Sequence, residues 1–209
     1  MNKKILIDEI KSRITDIYNS FDEGHKMDHI DEVIEHSDEI VSELNLDVDI
    51  TLVYIIALFH DIGIQYGRDN HHITSAEILR KDDFINSMFT IDEINIMAEA
   101  IEDHRASSNN EPRSIYGKII SEADRVINID KIIFRTISFN TKNYPEYNIN
   151  EIIDESYNHI RKKYGDGGYL KLWLNSSRNL KALEDVRVII RDEKHLKDLL
   201  LKQLMMKEK

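Results

Sequence analysis

The sequence predicts an all-α protein, an irregular helical bundle, on three observations. Only seven glycines and two prolines punctuate 209 residues, so long uninterrupted helices are expected. Apolar residues recur at steps of three and four, and no segment alternates apolar with polar as a half-buried strand would. Hydrophobic residues make up 41% of the chain and charged ones 32%, spread along it rather than gathered in tails, which suits a folded core and not a disordered segment.

The elements follow in order. Ile7, Ile10, Ile14, Ile17 and Phe21 form a first helical stripe, which Asp22-Glu23-Gly24 is expected to end. Ile30, Val33, Ile34, Ile40, Val41 and Leu44 form a second. Asp49 is placed to cap a third helix over about Ile50–Asp61, stopped by Gly63 and Gly67. That helix is apolar on every side and belongs in the middle of the bundle. Further helices are expected at about His72–Phe84, Ile91–His104, Ile115–Phe139 and Ile149–Tyr164, with loops at Ala106–Arg113 and Asn140–Asn148. Asp166-Gly167-Gly168 then interrupts the chain before one or two helices over Tyr169–Met205, the last carrying the stripe Leu196, Leu199, Leu200 and Leu204. The whole reads as one domain over 1–209, with a core at about 22–135 and C-terminal helices at about 149–206 packing on it. A split near Gly165–Gly168 is the alternative, although those glycines read as easily as an ordinary helix–helix turn.

Charge and composition bound the function. Thirty-nine acidic residues against 28 basic ones leave a net charge of -11, which repels nucleic-acid backbones and makes DNA or RNA a poor partner. A small phosphorylated substrate would need a local cation to overcome that field. The chain has no cysteine, so disulfides, thiolate catalysis and Cys-ligated metal sites are excluded, in keeping with a reducing cytoplasm. Charges from Asp8 onward interrupt the N-terminal apolar run, so it does not read as a signal peptide, and no stretch approaches the ~20 apolar residues that span a bilayer. A soluble cytoplasmic protein without membrane partners is expected.

Chemistry concentrates at His60-Asp61. The apolar run Leu52–Phe59 delivers this pair to a helix end beside Gly63, where an ionised carboxylate is costly unless it is paired or bound to a metal. Both residues could simply cap the helix. Histidine suits a C-terminus, but aspartate there opposes the helix dipole. From the doublet alone the two readings stand side by side. Three other segments add candidates: His29 opens the second helix, His71-His72 begin the next one after the glycines, and Asp124-Arg125 lie inside the apolar-rich Ile119–Ile133. Imidazoles and carboxylates from separate helices form a ligand set for divalent Mn, Fe, Co, Ni, Zn or Mg, the histidines arguing against Mg alone.

The order His29, His60-Asp61, Asp124 resembles the HD-domain superfamily of metal-dependent phosphohydrolases. The resemblance runs from about Met27 to Ile133 and extends to the surrounding phrases. ALFHDIG (57–63) looks like the helix carrying the doublet, and ISEADRV (120–126) like the segment with the last aspartate. HHITSAEIL (71–79) and IEDHRASS (101–108) are similar to segments that supply extra histidines in two-metal members. The resemblance implies a first metal on His29, His60, Asp61 and Asp124. In two-metal relatives the equivalent of Asp61 bridges to a second ion, here with His71 and His104. His71 is the better match, four residues before Ser75, and His72 stays open because sequence does not separate adjacent positions.

Such a site implies hydrolysis of a phosphate ester or anhydride by an activated water, with Asp61 orienting it and His71 or His104 protonating the leaving oxygen where not metal-bound. Arg68, Arg105, Lys118 and Arg125 lie close in sequence to these ligands and are candidates to contact substrate phosphate, although each reads equally as a solvated charge. Sequences of this compact kind include nucleotide pyrophosphohydrolases and phosphatases, so a nucleotide is the expected substrate. No GYP triplet follows the histidines, which disfavours cyclic-dinucleotide cleavage, and no glycine-rich phosphate loop is present. Two further readings are a non-catalytic metal- or nucleotide-binding module and a purely structural bundle, the latter a homodimer through the C-terminal leucines. His25, His36, His159 and His195 read as surface residues. Tyr144, Tyr147 and Trp173 read as base-stacking candidates or as core.

Overall fold

The computed structural model describes residues 3–21, 25–105, 110–125 and 127–207, and among these it contains eleven α-helices, one short 3₁₀ helix and no strand. The all-α expectation holds. The chain divides into two compact units, Met1–Arg125 and Val126–Lys209, with Gly165–Gly168 inside the second.

The first unit holds α1 (Lys3–Asn19), α2 (Met27–Glu43), α3 (Ile50–Phe59), the 3₁₀ turn Ile62–Tyr66, α4 (His71–Lys81), α5 (Asp83–Met88), α6 (Ile91–Asp103) and α7 (Ile115–Ala123). As its composition requires, α3 lies in the middle, packing against α1, α2, α4, α6 and α7. The side chains of Leu52, Val53 and Ile55–Phe59 are all buried. At roughly 1.5–3 kcal/mol for each buried large aliphatic or aromatic side chain, this short helix is held by its surroundings and not by helix propensity. Asp49 caps it as expected, accepting from Thr51 N at 2.7 Å.

Two single helices of the sequence reading are broken in the structure. The expected His72–Phe84 is α4 and α5, because Asp82 leaves helical geometry and accepts from Ile85 N at 2.9 Å, starting a new helix. The expected Ile115–Phe139 is α7 followed by α8 (Ile129–Asn143), because Asn128 turns extended and its side chain accepts from Lys131 N at 3.0 Å. In both places a short polar side chain offers the backbone a cap in place of a continuing turn. The second break leaves Asp124 at a helix end, not inside a helix. The expected stop at Asp22-Glu23-Gly24 and part of the expected loop Ala106–Arg113 lie outside the described residues.

The second unit comprises α8, α9 (Ile149–Tyr164), α10 (Ser177–Arg191) and α11 (Glu193–Lys207). Ile133, Ile137, Ile153, Ile160, Val186 and Ile190 form its core together with Leu196, Leu200 and Leu204 of the C-terminal stripe. That stripe is therefore taken up within its own unit. Asn140 donates to Ser156 Oγ at 2.9 Å inside this unit, a buried polar pair linking α8 to α9. Among the described residues no single helix is long and apolar enough to cross a membrane.

Candidate metal centre

Helix ends of the first unit converge on Asp61. His29 lies in the first turn of α2, His60 and Asp61 follow the last residue of α3, and His71 opens α4. His104 follows α6, and Asp124 follows α7. A helix end is where backbone groups lack intrahelical partners; His60 and His104 use that deficit, while His71 is held by the turn that leads into α4. Nδ1 of His60 lies 2.8 Å from Ala57 O, and Nδ1 of His104 lies 2.6 Å from Ile101 O. Nδ1 of His71 lies 2.7 Å from Arg68 O. A carbonyl only accepts, so each Nδ1 carries the proton, and each Nε2 is the atom turned to the cluster. Fixing one ring nitrogen this way is what sets the tautomer and orientation of a metal-binding histidine.

The two oxygens of Asp61 face different partners. Oδ2 stands 3.4 Å from His60 Nε2 and 3.9 Å from His29 Nε2. Oδ1 stands 3.3 Å from His71 Nε2 and 3.6 Å from His104 Nε2. On the Oδ2 side, Asp124 Oδ1 lies 3.1 Å from His29 Nε2 and 3.8 Å from His60 Nε2. Among the described residues, three groups have ligand atoms all within 4.8 Å of one another: His29, His60 and Asp61; His60, His104 and Asp124; and Asp61, His71 and His104. All four residues expected at the first metal are thus brought together, with His71 and His104 beside them. His72 joins none of these groups. It packs edge-on against the His71 ring, and burial, helped by the charges of His104, His71 and Arg105, lowers its pKa to about 4.

The electrostatics are those of a site built for a cation. Burial outweighs the attraction of Asp61 and Asp124 at His60 and lowers its pKa, so the ring is neutral. Its Nε2 is buried, has no hydrogen-bond partner and faces two carboxylates. A lone pair in that position is unsolvated and repelled unless a positive ion sits among these atoms. Burial also opposes the charged forms of His29 and His104. The Asp124 hydrogen bond at His29 and the Asp61 hydrogen bond at His104, with the surrounding negative charge, raise both. Burial likewise disfavours ionised Asp61, but His60, His104 and His71 hold its carboxyl well below the usual range. The donor set, carboxylate oxygen with imidazole nitrogen and no sulfur, fits a borderline or hard divalent ion.

The basic residues expected at a substrate stand in different settings. Arg68 is exposed, and its carbonyl holds His71. Arg105 donates to Asp69 O, tying the segment before α4 to the end of α6. Lys118 pairs with Glu111. Arg125 is only 8% exposed and donates to Ser121 Oγ at 3.3 Å.

Sequence reasoning passed over three features of this region. His36, read as a surface residue, is half-buried, with Nδ1 3.0 Å from Ala123 O at the turn that presents Asp124. Tyr18 is fully buried and donates to Leu58 O at 2.8 Å, two residues before His60. Burial pushes its phenol well above the usual value, and the charge of Asp61 adds to the rise. Gly63 brings the 3₁₀ turn against α4, donating from N to Ser75 Oγ at 2.8 Å, and a Cβ there would meet His71 O at 2.4 Å. Of these, sequence marked only Gly63, as a helix stop two residues after the doublet and without its contact to α4. His159 and His195 are exposed, as expected.

No curated protein and no solved structure matches the chain. The family model described as HD domain matches residues 27–129, a span that includes His29, His60, Asp61, His71, His104 and Asp124. Over residues 27–129 the chain therefore carries the HD domain of the HD-domain superfamily of metal-dependent phosphohydrolases.

Proposed function

We propose that this protein hydrolyses a phosphate ester or anhydride of a small molecule, with a nucleotide as the substrate class, in a reaction that depends on a divalent metal. The observation that carries the reading is the buried, partnerless Nε2 of neutral His60, aimed at two carboxylates. His29, His60, Asp61 and Asp124 would hold a first ion, and Asp61, His71 and His104 a second. Bound there, a divalent ion supplies a Lewis acid for a phosphoryl oxygen and a source of hydroxide near neutral pH.

The chain's own side chains supply the rest. Asp61 orients the attacking water through the carboxylate that faces both groups. His71 or His104, where it holds no ion, protonates the leaving oxygen, since its ring is already fixed by the main chain. Arg68 and Arg105 flank α4 and the end of α6, and neutralise substrate phosphate there against a chain whose net charge is -11.

A panel of nucleoside mono-, di- and triphosphates and simple phosphate esters, assayed with Mn, Co, Ni, Fe, Zn and Mg beside elemental analysis of the purified protein, tests the reading. Metal-dependent release of phosphate or pyrophosphate is expected, and Asp61→Ala should abolish it. Turnover left intact in Asp61→Ala would rule the scheme out. Tight nucleotide binding without turnover under any ion would instead leave a binding module.

A further inference from the structure

Tyr18 comes from α1, outside the residues that match the family model, and reaches across 40 positions to the end of α3. We infer that Tyr18 is a positioning residue for the metal centre: its hydroxyl fixes the last turn of α3 and thereby sets where His60 and Asp61 point. This rests on the proposed metal-binding reading of the site.

The geometry is specific. The carbonyls of the last turn of α3 have no partner within the helix. Ala57 O accepts from His60 Nδ1 at 2.8 Å, and Leu58 O accepts from Tyr18 at 2.8 Å. One of these bonds orients the imidazole directly. The other ties down the peptide through which the chain leaves the helix, before Asp61 takes the sparsely populated backbone geometry φ −109°, ψ 0° and begins the 3₁₀ turn. The Tyr18 ring is wholly buried and packs edge-on against Phe21 at 5.3 Å between centroids, so the hydroxyl is held in place. A phenylalanine at this position would keep the packing and delete only the hydroxyl's hydrogen bonds. Outer partners that orient metal ligands are commonly worth about 10–100-fold in metal affinity.

The test is a titration of Mn into metal-free wild type, Tyr18→Phe and Tyr54→Phe, with helicity and melting of each metal-free protein measured alongside. Tyr54 also lies on α3, but its hydroxyl binds Asp38 on α2, so its variant controls for the loss of a tyrosine hydrogen bond from the same helix. Tyr18→Phe is expected to fold with wild-type helicity and bind Mn about tenfold more weakly, with Tyr54→Phe unchanged. Wild-type Mn affinity in Tyr18→Phe overturns the inference. So does a Tyr18→Phe protein that has lost its helicity, which makes the residue structural. Failure of the underlying metal reading appears elsewhere, as wild-type protein that takes up no stoichiometric Mn.

Discussion

The Nε2 atoms of His71 and His104 stand 3.3 Å apart, each on a ring held through Nδ1 to a main-chain carbonyl three residues earlier. Neither ring can turn its Nε2 away without giving up that bond. Two such nitrogens, both facing Asp61 Oδ1, need a proton or a metal ion between them.

His104→Ala should therefore remove one ion and spare the other. Metal analysis of wild type should give up to two ions per chain, and the variant one, held by His29, His60, Asp61 and Asp124. Affinity for the lost ion should fall by at least the ~100-fold typical of strong effects on metal sites. A variant that keeps the full wild-type complement would refute the assignment of His104 as a ligand.

Metal affinity should rise with pH. His29 and His104 have raised pKa values in the metal-free protein, so a fraction of each carries an extra proton above the ordinary imidazole range, and an incoming ion must displace it. His60, with its lowered pKa, is already neutral and adds no such dependence near pH 7. Calorimetric Mn titrations in buffers of different ionisation heat should detect protons released on binding, more of them near pH 6.5 than near pH 8. Affinity independent of pH over that interval would contradict the assignment.

Gly63→Ala should destabilise the first unit by roughly 1–3 kcal/mol, the usual range for forcing an extra carbon into packed structure. The added Cβ would meet His71 O at 2.4 Å and Ser75 N at 2.7 Å, both main-chain atoms that cannot swing aside. Urea unfolding measures the loss. Because the displaced atoms belong to the first two turns of α4, which His71 opens, Mn binding should weaken as well.

In the second unit, Asn140→Ala should cost about 1–3 kcal/mol by leaving Ser156 Oγ buried without its donor. The double variant with Ser156→Ala should recover part of that loss, which a double-mutant cycle in urea would report. Strict additivity would mean that the pair contributes nothing as a pair.

The residues of the cluster were legible because local sequence marks them. His60-Asp61 is marked by the apolar run that precedes it, and Asp124 by an acid in an apolar segment. The resemblance favoured His71 over His72, but local sequence did not decide between them, since neighbouring helical residues point about 100° apart and which one faces the cluster depends on where α4 begins. It begins at His71 itself. The break after Ala123 was hidden because apolar residues continue on both sides of it, with Asn128 the one local sign. Tyr18 looked like one more residue near the Ile14–Ile17 stripe. Its role lies in a carbonyl 40 residues away, and no local pattern encodes that distance.

The carbonyl tethers of His60, His71 and His104 have an evolutionary consequence. Each imidazole is aimed by backbone oxygen, which every amino acid supplies, and each tether comes from the residue three positions upstream. The side chains of Ala57, Arg68 and Ile101 can therefore drift toward other substrates or surfaces while the aim of the rings is preserved. Selection on specificity at this site need not compete with selection on holding the ion.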